Sequence, residues 1–249
     1  MRLPESVLPA TPALDVVTEG RVAARGLGAV LFDLGGTLDA PGIPWKERLF
    51  RLYRAEGVAI PPDDFATLFY RADDALVGTV PAALSLRDTV QRLVDGISAA
   101  LNVDDVRLTD RIATRFLEGA TTCARDNTRL LSDLASRYRL GIVSNFYGNL
   151  ATVCDELGLR PHLGVIVDSS AVGWTKPDPR IFQCALDGLG VKAGDAAFVG
   201  DSLSRDMAGA RAVGMAHIRL VEEAVSAPAP CCPHDRIIHS LDELRDVLL

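Results

Sequence analysis

Residues 29–39 read Ala29-Val30-Leu31-Phe32-Asp33-Leu34-Gly35-Gly36-Thr37-Leu38-Asp39. Four apolar residues without polar alternation are typical of a parallel strand buried on both faces, which predicts a strand over Ala29 to Phe32. Asp33 follows at the carboxyl end of that strand, where open α/β sheets bind ligands. Gly35 and Gly36 allow the backbone to turn sharply and approach a ligand. The stretch therefore predicts a parallel sheet with a polar site at its carboxyl edge.

Strands and helices alternate in the second half of the chain. We predict further strands at 140–143, 165–167, 196–199, 217–220 and 236–239. Helices are predicted between and after them, at 127–138, 149–157, 179–189, 205–212 and 241–249. Such alternation produces a mostly parallel sheet with helices on both faces. The predicted fold class is α/β, with a Rossmann-like core.

A long segment with only helical periodicity separates the first strand from this second half. Its predicted helices cover 45–56, a stretch that opens at Pro61-Pro62, 85–101 and 108–121. No strand-like run interrupts them, so we predict an inserted α-helical cap domain over 45–125. The core domain then comprises 27–44 and 126–249. Residues 1–26 contain three prolines and no clear periodicity, and they are interpreted as an N-terminal extension.

Composition excludes several classes of protein. The net charge is -7 over 249 residues, which argues against a nucleic-acid binder. No apolar run approaches the roughly 20 residues that span a bilayer, and the N-terminus lacks a signal-peptide core, so we predict a cytoplasmic protein without a membrane partner. Five cysteines at irregular spacing indicate reduced thiols. Cys231-Cys232-Pro233-His234 is interpreted as a loop rather than a zinc site, because no second ligand pair follows.

Polar residues stand where three of the predicted strands end. They are Asp33, Ser144-Asn145 and Gly200-Asp201-Ser202; a loop adds Lys176, and Asp206 follows shortly after Asp201. The carboxyl ends of parallel strands converge at one edge of a sheet. Paired carboxylates hold Mg²⁺, a hydroxyl and a lysine hold phosphoryl oxygens, and an aspartate can attack phosphorus. The pattern therefore indicates a site for a phosphate and a divalent cation.

These segments resemble, in order, the four motifs of the haloacid dehalogenase (HAD) superfamily. The motifs are Asp33-Leu34-Gly35-Gly36-Thr37-Leu38, Val143-Ser144-Asn145, Lys176-Pro177-Asp178-Pro179, and Gly200-Asp201-Ser202 followed by Asp206. The motif set covers residues 29–220, and the helical insert resembles the C1-type cap of that superfamily. The resemblance implies a hydrolase with a small phosphorylated substrate and Mg²⁺ as its cofactor.

The resemblance also implies roles for single residues. Asp33 would be the nucleophile that forms an aspartyl-phosphate, Ser144 would hydrogen-bond a phosphoryl oxygen, and Lys176 would bridge the phosphate and the nucleophile. Substrate-binding positions would be Gly36, Thr37, Ser144, Asn145 and Lys176, although Asn145 can instead shape its loop. Mg²⁺ would be held by Asp33, Asp201 and the Gly35 carbonyl. Asp206 would orient Lys176 or the metal waters, or serve only as a helix N-terminal carboxylate.

One departure from the family pattern bears on the chemistry. Family phosphatases usually carry Asp-x-Asp in the first motif, and the second aspartate protonates the leaving oxygen and later activates water. Gly35 stands at that position and offers no side chain for proton transfer, which contributes about 10²–10⁴ in rate. Asp39 lies nearby but is not assigned as its substitute. We predict a phosphatase with a non-standard acid/base, and we expect Gly35→Asp to speed hydrolysis of unactivated esters.

Two other functions remain open at the level of sequence. Phosphonatases of the superfamily also lack the second aspartate and use a cap lysine as a Schiff base, for which Lys46 is the candidate. A binding or regulatory protein that has lost turnover is the second. If the protein is an enzyme, the insert is expected to move as a lid, with hinges near 41–44 and near Arg125-Asp126.

Overall fold

The computed structural model describes residues 26–223, 225 and 235–249, and the statements below concern those residues. The predicted N-terminal extension lies outside them except for Gly26. The Cys231–His234 loop lies outside them as well. In the described ranges, no helix combines the length and the hydropathy needed to cross a lipid bilayer.

A six-stranded parallel sheet forms the centre of the molecule. Its strands are β1 (Ala29–Phe32), β2 (Arg139–Ser144), β3 (Val165–Asp168), β4 (Ala196–Gly200), β5 (Ala216–Leu220) and β6 (Asp235–Ile238). Their order is β3-β2-β1-β4-β5-β6, so β1 lies between β2 and β4. Phe32 is in register with Ile142 and Val199. The predicted α/β fold with a parallel sheet is confirmed, and the carboxyl ends of β1, β2 and β4 are neighbours.

Helices α1 to α4 follow β1, and the remaining helices follow the later strands. They are α1 (Trp45–Ala55), α2 (Pro62–Leu76), α3 (Leu86–Ala100), α4 (Val106–Ala135), α5 (Leu150–Glu156), α6 (Ser169–Val172), α7 (Pro179–Leu189), α8 (Ala208–Val213) and α9 (Leu244–Leu248). Successive residues of β1 face opposite sides of the sheet. Val30 and Phe32 belong to a core that continues into α1 to α4, whereas Ala29 and Leu31 pack in a second core with α7 and α8.

The helical insert, α1 to α4, contains no strand, as the sequence predicts. Ser85 caps α3 by accepting from the Asp88 N–H, and Asp105 caps α4 by accepting from two backbone N–H groups. The apolar faces of these helices are buried in the core that they share with β1 and β2, and the Tyr53 hydroxyl donates to the Val94 carbonyl at 2.8 Å. Capping and burial together define its helices.

The two helices predicted at 108–121 and 127–138 are one 30-residue helix, α4. The predicted break between them was wrong because residues 121–127 contain neither glycine nor proline. The buried positions Phe116, Ala120, Ala124 and Leu131 continue at helical spacing through this region. The cap boundary predicted at residues 125 and 126 therefore falls inside a helix and not in a loop.

Candidate active site

Asp33 lies directly after β1 in a buried position, and its backbone N–H donates to the Val199 carbonyl at 2.9 Å. Two side chains from other segments reach its carboxylate. The Ser144 hydroxyl at the end of β2 donates to Oδ1 at 2.8 Å, and Lys176 Nζ lies 2.7 Å from the same oxygen. Residues far apart in sequence therefore meet at Asp33 because the parallel strands end side by side.

Lys176 is a buried cation between two carboxylates. Only 4% of its surface is exposed, and Nζ lies 2.6 Å from Asp206 Oδ1 in addition to its contact with Asp33. The ring of Phe198 lies beneath it, with its centroid 5.4 Å from Nζ. Burial lowers the pKa of Lys176, but Asp206 and Asp33 outweigh burial, so the net shift is upward. The side chain is held as an ammonium group and neutralises anionic charge at this edge.

The loop that carries Lys176 is fixed by Asn145. The Lys176 backbone N–H donates to Asn145 Oδ1 at 2.7 Å, and Asn145 Nδ2 donates to the Lys176 carbonyl at 3.1 Å. The Lys176–Pro177 peptide bond is cis. Both ends of the Asn145 amide are engaged by the backbone, which favours the loop-shaping role of the two left open by the sequence.

Three carboxylates converge beside Lys176. Oxygen atoms of Asp33, Asp201 and Asp206 lie within 4.8 Å of one another. Burial raises the pKa of Asp201 well above its usual range, and the nearby charges of Asp33 and Asp206 raise it further. Burial likewise raises the pKa of Asp206 to about 6, against the opposing effect of Lys176. One lysine does not balance three carboxylates, so a hard divalent cation fits this cluster.

Gly36 and Gly200 allow the carboxylates to approach the backbone this closely. Gly36 has a φ of 91°, and a Cβ there would lie 2.5 Å from Asp201 Oδ2. A Cβ on Gly200 would lie 2.4 Å from Asp206 Oδ2. Any side chain at either position would displace a carboxylate. Thr37, which the resemblance places near substrate, is fully buried below the cleft and does not line it.

Asp39 holds the first-motif turn against the helical insert. Its Oδ1 accepts from the Gly36 N–H at 2.7 Å, and its Oδ2 accepts from Trp45 Nε1 at 2.6 Å and Arg48 Nη1 at 3.0 Å. The carboxylate is buried, and burial raises its pKa although Arg48 opposes the shift. With both oxygens engaged by the protein, Asp39 acts as an anchor and is not available to replace the missing acid/base.

A cleft of about 390 Å³ opens above Asp33, between the sheet edge and the helical insert. It contains Gly35, Ser144, Lys176, Asp201 and Asp206, as the sequence predicts. It is also lined by residues that were not predicted from the sequence, among them Trp45, Phe69, Tyr70, Asp73, Phe146, Tyr147, Arg205 and Arg219. Lys46, considered for a phosphonatase, also lines it. Helical periodicity predicts which faces of α1 and α2 are apolar, but it does not predict which of their residues line the cleft above the sheet.

A contact across the cleft joins the insert to the core. The Tyr147 hydroxyl donates to Asp73 Oδ1 on α2. Burial raises the pKa of Asp73, and it raises that of Tyr147 well above its usual range. Asp168 fixes the loop that carries Tyr147, since its Oδ2 accepts from the Gly148 and Leu150 N–H groups at 2.8 and 3.0 Å. A carboxylate at the end of β3 was the available signal for this anchoring residue.

Comparison with known proteins adds to this geometry. Residues 27–214 match the family described as haloacid dehalogenase-like hydrolase. Haloacid dehalogenase-like hydrolase domain-containing protein 3 of Bos taurus is 42% identical over 113 residues, which cover 44% of this chain and 45% of that relative. The chain therefore matches less than half the length of this relative. Phosphoglycolate phosphatase of Rhodospirillum rubrum is 32% identical over 75% of this chain and 76% of the relative.

A solved structure extends the comparison over most of the chain. The HAD phosphatase of Thermococcus onnurineus superposes with a TM-score of 0.53 and 26% identity. The superposition covers 88% of this chain and 96% of that one, so both the sheet and the helical insert have counterparts.

Proposed function

This chain belongs to the haloacid dehalogenase-like hydrolases, and within that family we propose that it is an Mg²⁺-dependent phosphatase acting on a small phosphorylated metabolite. The observation that carries the proposal is the buried cluster in which Asp33 contacts Ser144 and Lys176 beside the carboxylates of Asp201 and Asp206. A phosphatase-type hydrolase also agrees with the relatives, among which phosphoglycolate phosphatase matches over most of its length.

Asp33 is the proposed nucleophile. A carboxylate oxygen of Asp33 attacks phosphorus while the bond from phosphorus to the ester oxygen breaks and the alcohol leaves; water then hydrolyses the aspartyl-phosphate and releases orthophosphate and the Asp33 carboxylate. Lys176, held as a cation, offsets the charge of the phosphoryl oxygens and of Asp33. The Ser144 hydroxyl, 2.8 Å from Asp33 Oδ1, is placed to hydrogen-bond a phosphoryl oxygen once substrate is bound.

Asp33, Asp201 and the Gly35 carbonyl are the residues that we propose hold Mg²⁺. The cation, when bound, would offset the charge of the phosphoryl group and of the carboxylates. Asp206 keeps Lys176 in place through the 2.6 Å contact, and the Ser202 N–H holds Asp206 in turn at 3.0 Å. Asp206 is therefore a positioning residue.

A screen of phosphate esters with and without Mg²⁺ tests this function. The purified full chain should hydrolyse members of the set only with the cation, and chelation should stop turnover until Mg²⁺ is restored. Asp33→Asn should abolish hydrolysis, because an amide is a poor nucleophile, while melting as a folded protein. Undiminished turnover by that variant, or full turnover in chelator, would contradict the proposal.

One observation favours a second candidate, carbon–phosphorus hydrolysis. Lys46 at the start of α1 lines the same cleft as Asp33 and would be the amine that forms a Schiff base with a substrate carbonyl. Borohydride reduction in the presence of a carbonyl-bearing phosphonate would trap a Schiff base on Lys46. If the protein is a phosphatase, no adduct should be trapped, and the wild type and Lys46→Met should give the same result in this experiment.

A further inference from the structure

The backbone does not require glycine at position 35. Gly35 has φ and ψ of −74° and 113°, values that any residue adopts. A Cβ added there would instead meet the indole of Trp45, at 3.1 Å from Nε1 and 3.3 Å from Cδ1. The first residue of α1 thus occupies the space into which a side chain at position 35 would extend.

Trp45 is fixed in this position by polar and aromatic contacts. Its Nε1 donates to Asp39 Oδ2 at 2.6 Å, and Arg48 holds the same oxygen at 3.0 Å. The ring meets Phe116 of the insert and Phe146 of the core edge-on, with centroids 5.0 and 5.8 Å away. The indole N–H is engaged by Asp39, so Trp45 forms an apolar wall and does not donate a proton to a leaving group.

Two further protic groups on the described cleft wall are engaged by neighbouring side chains. Lys176 pairs with Asp33 and Asp206, and the Tyr147 hydroxyl donates to Asp73. Lys46 is a further amine on that wall, and the experiment below tests it with its own variant. At position 35, a leaving oxygen would therefore face the Trp45 ring where a carboxyl group would otherwise stand.

We propose that Trp45 fills the space of the absent acid/base and restricts the enzyme to phosphoryl compounds whose leaving group departs as a stable anion, above all acyl phosphates. This inference rests on the proposed phosphatase function. An Asp33 carboxylate oxygen bonds to phosphorus while the bond to the leaving oxygen breaks. That oxygen keeps the electron pair and departs as a carboxylate. Water then attacks phosphorus, Asp33 leaves as a carboxylate, and the water protons pass to solvent and orthophosphate.

The first experiment measures how the wild-type rate depends on the leaving group. With Mg²⁺ present, kcat/KM is determined for acetyl phosphate, substituted phenyl phosphates and ethyl phosphate. It should fall steeply as leaving-group pKa rises, with ethyl phosphate at least about 10²-fold slower than acetyl phosphate. Comparable rates for acetyl phosphate and ethyl phosphate would overturn the inference. If Lys46→Met then lost the rate on ethyl phosphate, Lys46 would be assigned as the proton donor. Hydrolysis of none would overturn the phosphatase function itself, which is a distinct result.

The second experiment separates the glycine from the tryptophan. Gly35→Asp, Trp45→Ala and the double variant are compared on ethyl and acetyl phosphate. The double variant should gain about 10²–10⁴ on ethyl phosphate and little on acetyl phosphate, because it has both the acid and room for it. Gly35→Asp alone should gain less, since the indole remains in place.

A control variant and a folding check complete this test. Phe50 lies on the same helix as Trp45 and packs against Phe65 at 5.3 Å, away from the cleft, so Phe50→Ala should leave the leaving-group dependence unchanged. A double variant that is folded by circular dichroism and thermal melting, yet keeps the wild-type dependence, would overturn the role of Trp45. If the double variant does not fold, the wild-type series still decides the inference.

Discussion

Single residues at the sheet edge carry the charge balance of the site. Asp33, Asp201 and Asp206 lie close together, and Lys176 supplies the compensating charge that the structure places among them. Repulsion among buried carboxylates is a cost that a bound divalent cation relieves. The melting temperature of the protein should therefore respond to Mg²⁺ through these residues even when no substrate is present.

Asp201→Asn tests that charge balance directly. Removing one carboxylate should raise the melting temperature of the metal-free protein and reduce or abolish the further rise on adding Mg²⁺. Asp195→Asn, on an exposed turn before β4, is the matched control and should leave both values as in the wild type. An Asp201→Asn protein stabilised by Mg²⁺ as strongly as the wild type would exclude Asp201 as a ligand.

Asp39 should contribute to the stability of the fold, because it anchors the first-motif turn to the helical insert. Asp39→Ala leaves the largely buried guanidinium of Arg48 and the Trp45 and Gly36 N–H groups without their acceptor. The free energy of unfolding in urea should fall by about 3–5 kcal/mol. Glu47→Ala removes an exposed pair with Arg51 on the same helix and should cost about 1 kcal/mol or less. Equal losses in the two variants would refute the anchoring role.

The sequence predicted which residues meet at Asp33 better than it predicted what each contacts. Asp33 and Ser144 come together because parallel strands end at a common edge, a rule that needs no side-chain detail, whereas Lys176 is brought to them by a loop that Asn145 fixes. Both Gly35 and Gly36 were expected to allow the sharp turn, but only Gly36 has a positive φ. Trp45 could not be assigned because its position depends on how the insert packs over the sheet.

Among the elements, the helical insert shows both the strength and the limit of periodicity. The bounds of α1 and α3 and the start of α4 were predicted within about two residues, since buried apolar residues at helical spacing mark them. The join between the insert and the core was not, because α4 runs through it without a break. A lid motion stays a prediction, and its flexible connection is to be sought at 41–44 rather than within α4.

The contact between α2 and the core predicts a pH effect. Burial raises the pKa of Asp73 above its ordinary value of 3.8, so the folded state binds that proton more tightly than the unfolded chain. The contribution of Asp73 to the free energy of unfolding therefore falls as the pH rises from its pKa in the unfolded chain to its higher pKa in the folded protein. Asp73→Asn should flatten this fall and gain stability relative to the wild type at neutral pH.

The neighbouring Asp74 provides the control for this measurement. It lies on the same helix but is exposed, so Asp74→Asn should keep the wild-type dependence of stability on pH. Urea unfolding of the three proteins at mildly acidic and neutral pH measures the difference. If Asp73→Asn follows the wild-type profile, burial does not set the protonation of Asp73.

At the scale of the whole molecule, the edge of the sheet provides the charged residues of the site, and the insert covers it with aromatic side chains such as Trp45. A phosphatase that lacks the usual acid/base at position 35 is slowed in two steps, the departure of a poor leaving group and the attack of water. A good leaving group removes the first limitation but leaves the second. The aspartyl-phosphate should therefore accumulate during turnover of acetyl phosphate.

Rapid acid quenching followed by peptide mass spectrometry tests whether Asp33 becomes phosphorylated during turnover. The chain, mixed with acetyl phosphate and Mg²⁺, should carry one phosphoryl group on the peptide that contains Asp33. The modification should appear before orthophosphate reaches its steady rate, and Asp33→Asn should not acquire it. A phosphoryl group on another residue, or orthophosphate release by the wild type with Asp33 unmodified at every time point, would show that Asp33 is not the nucleophile.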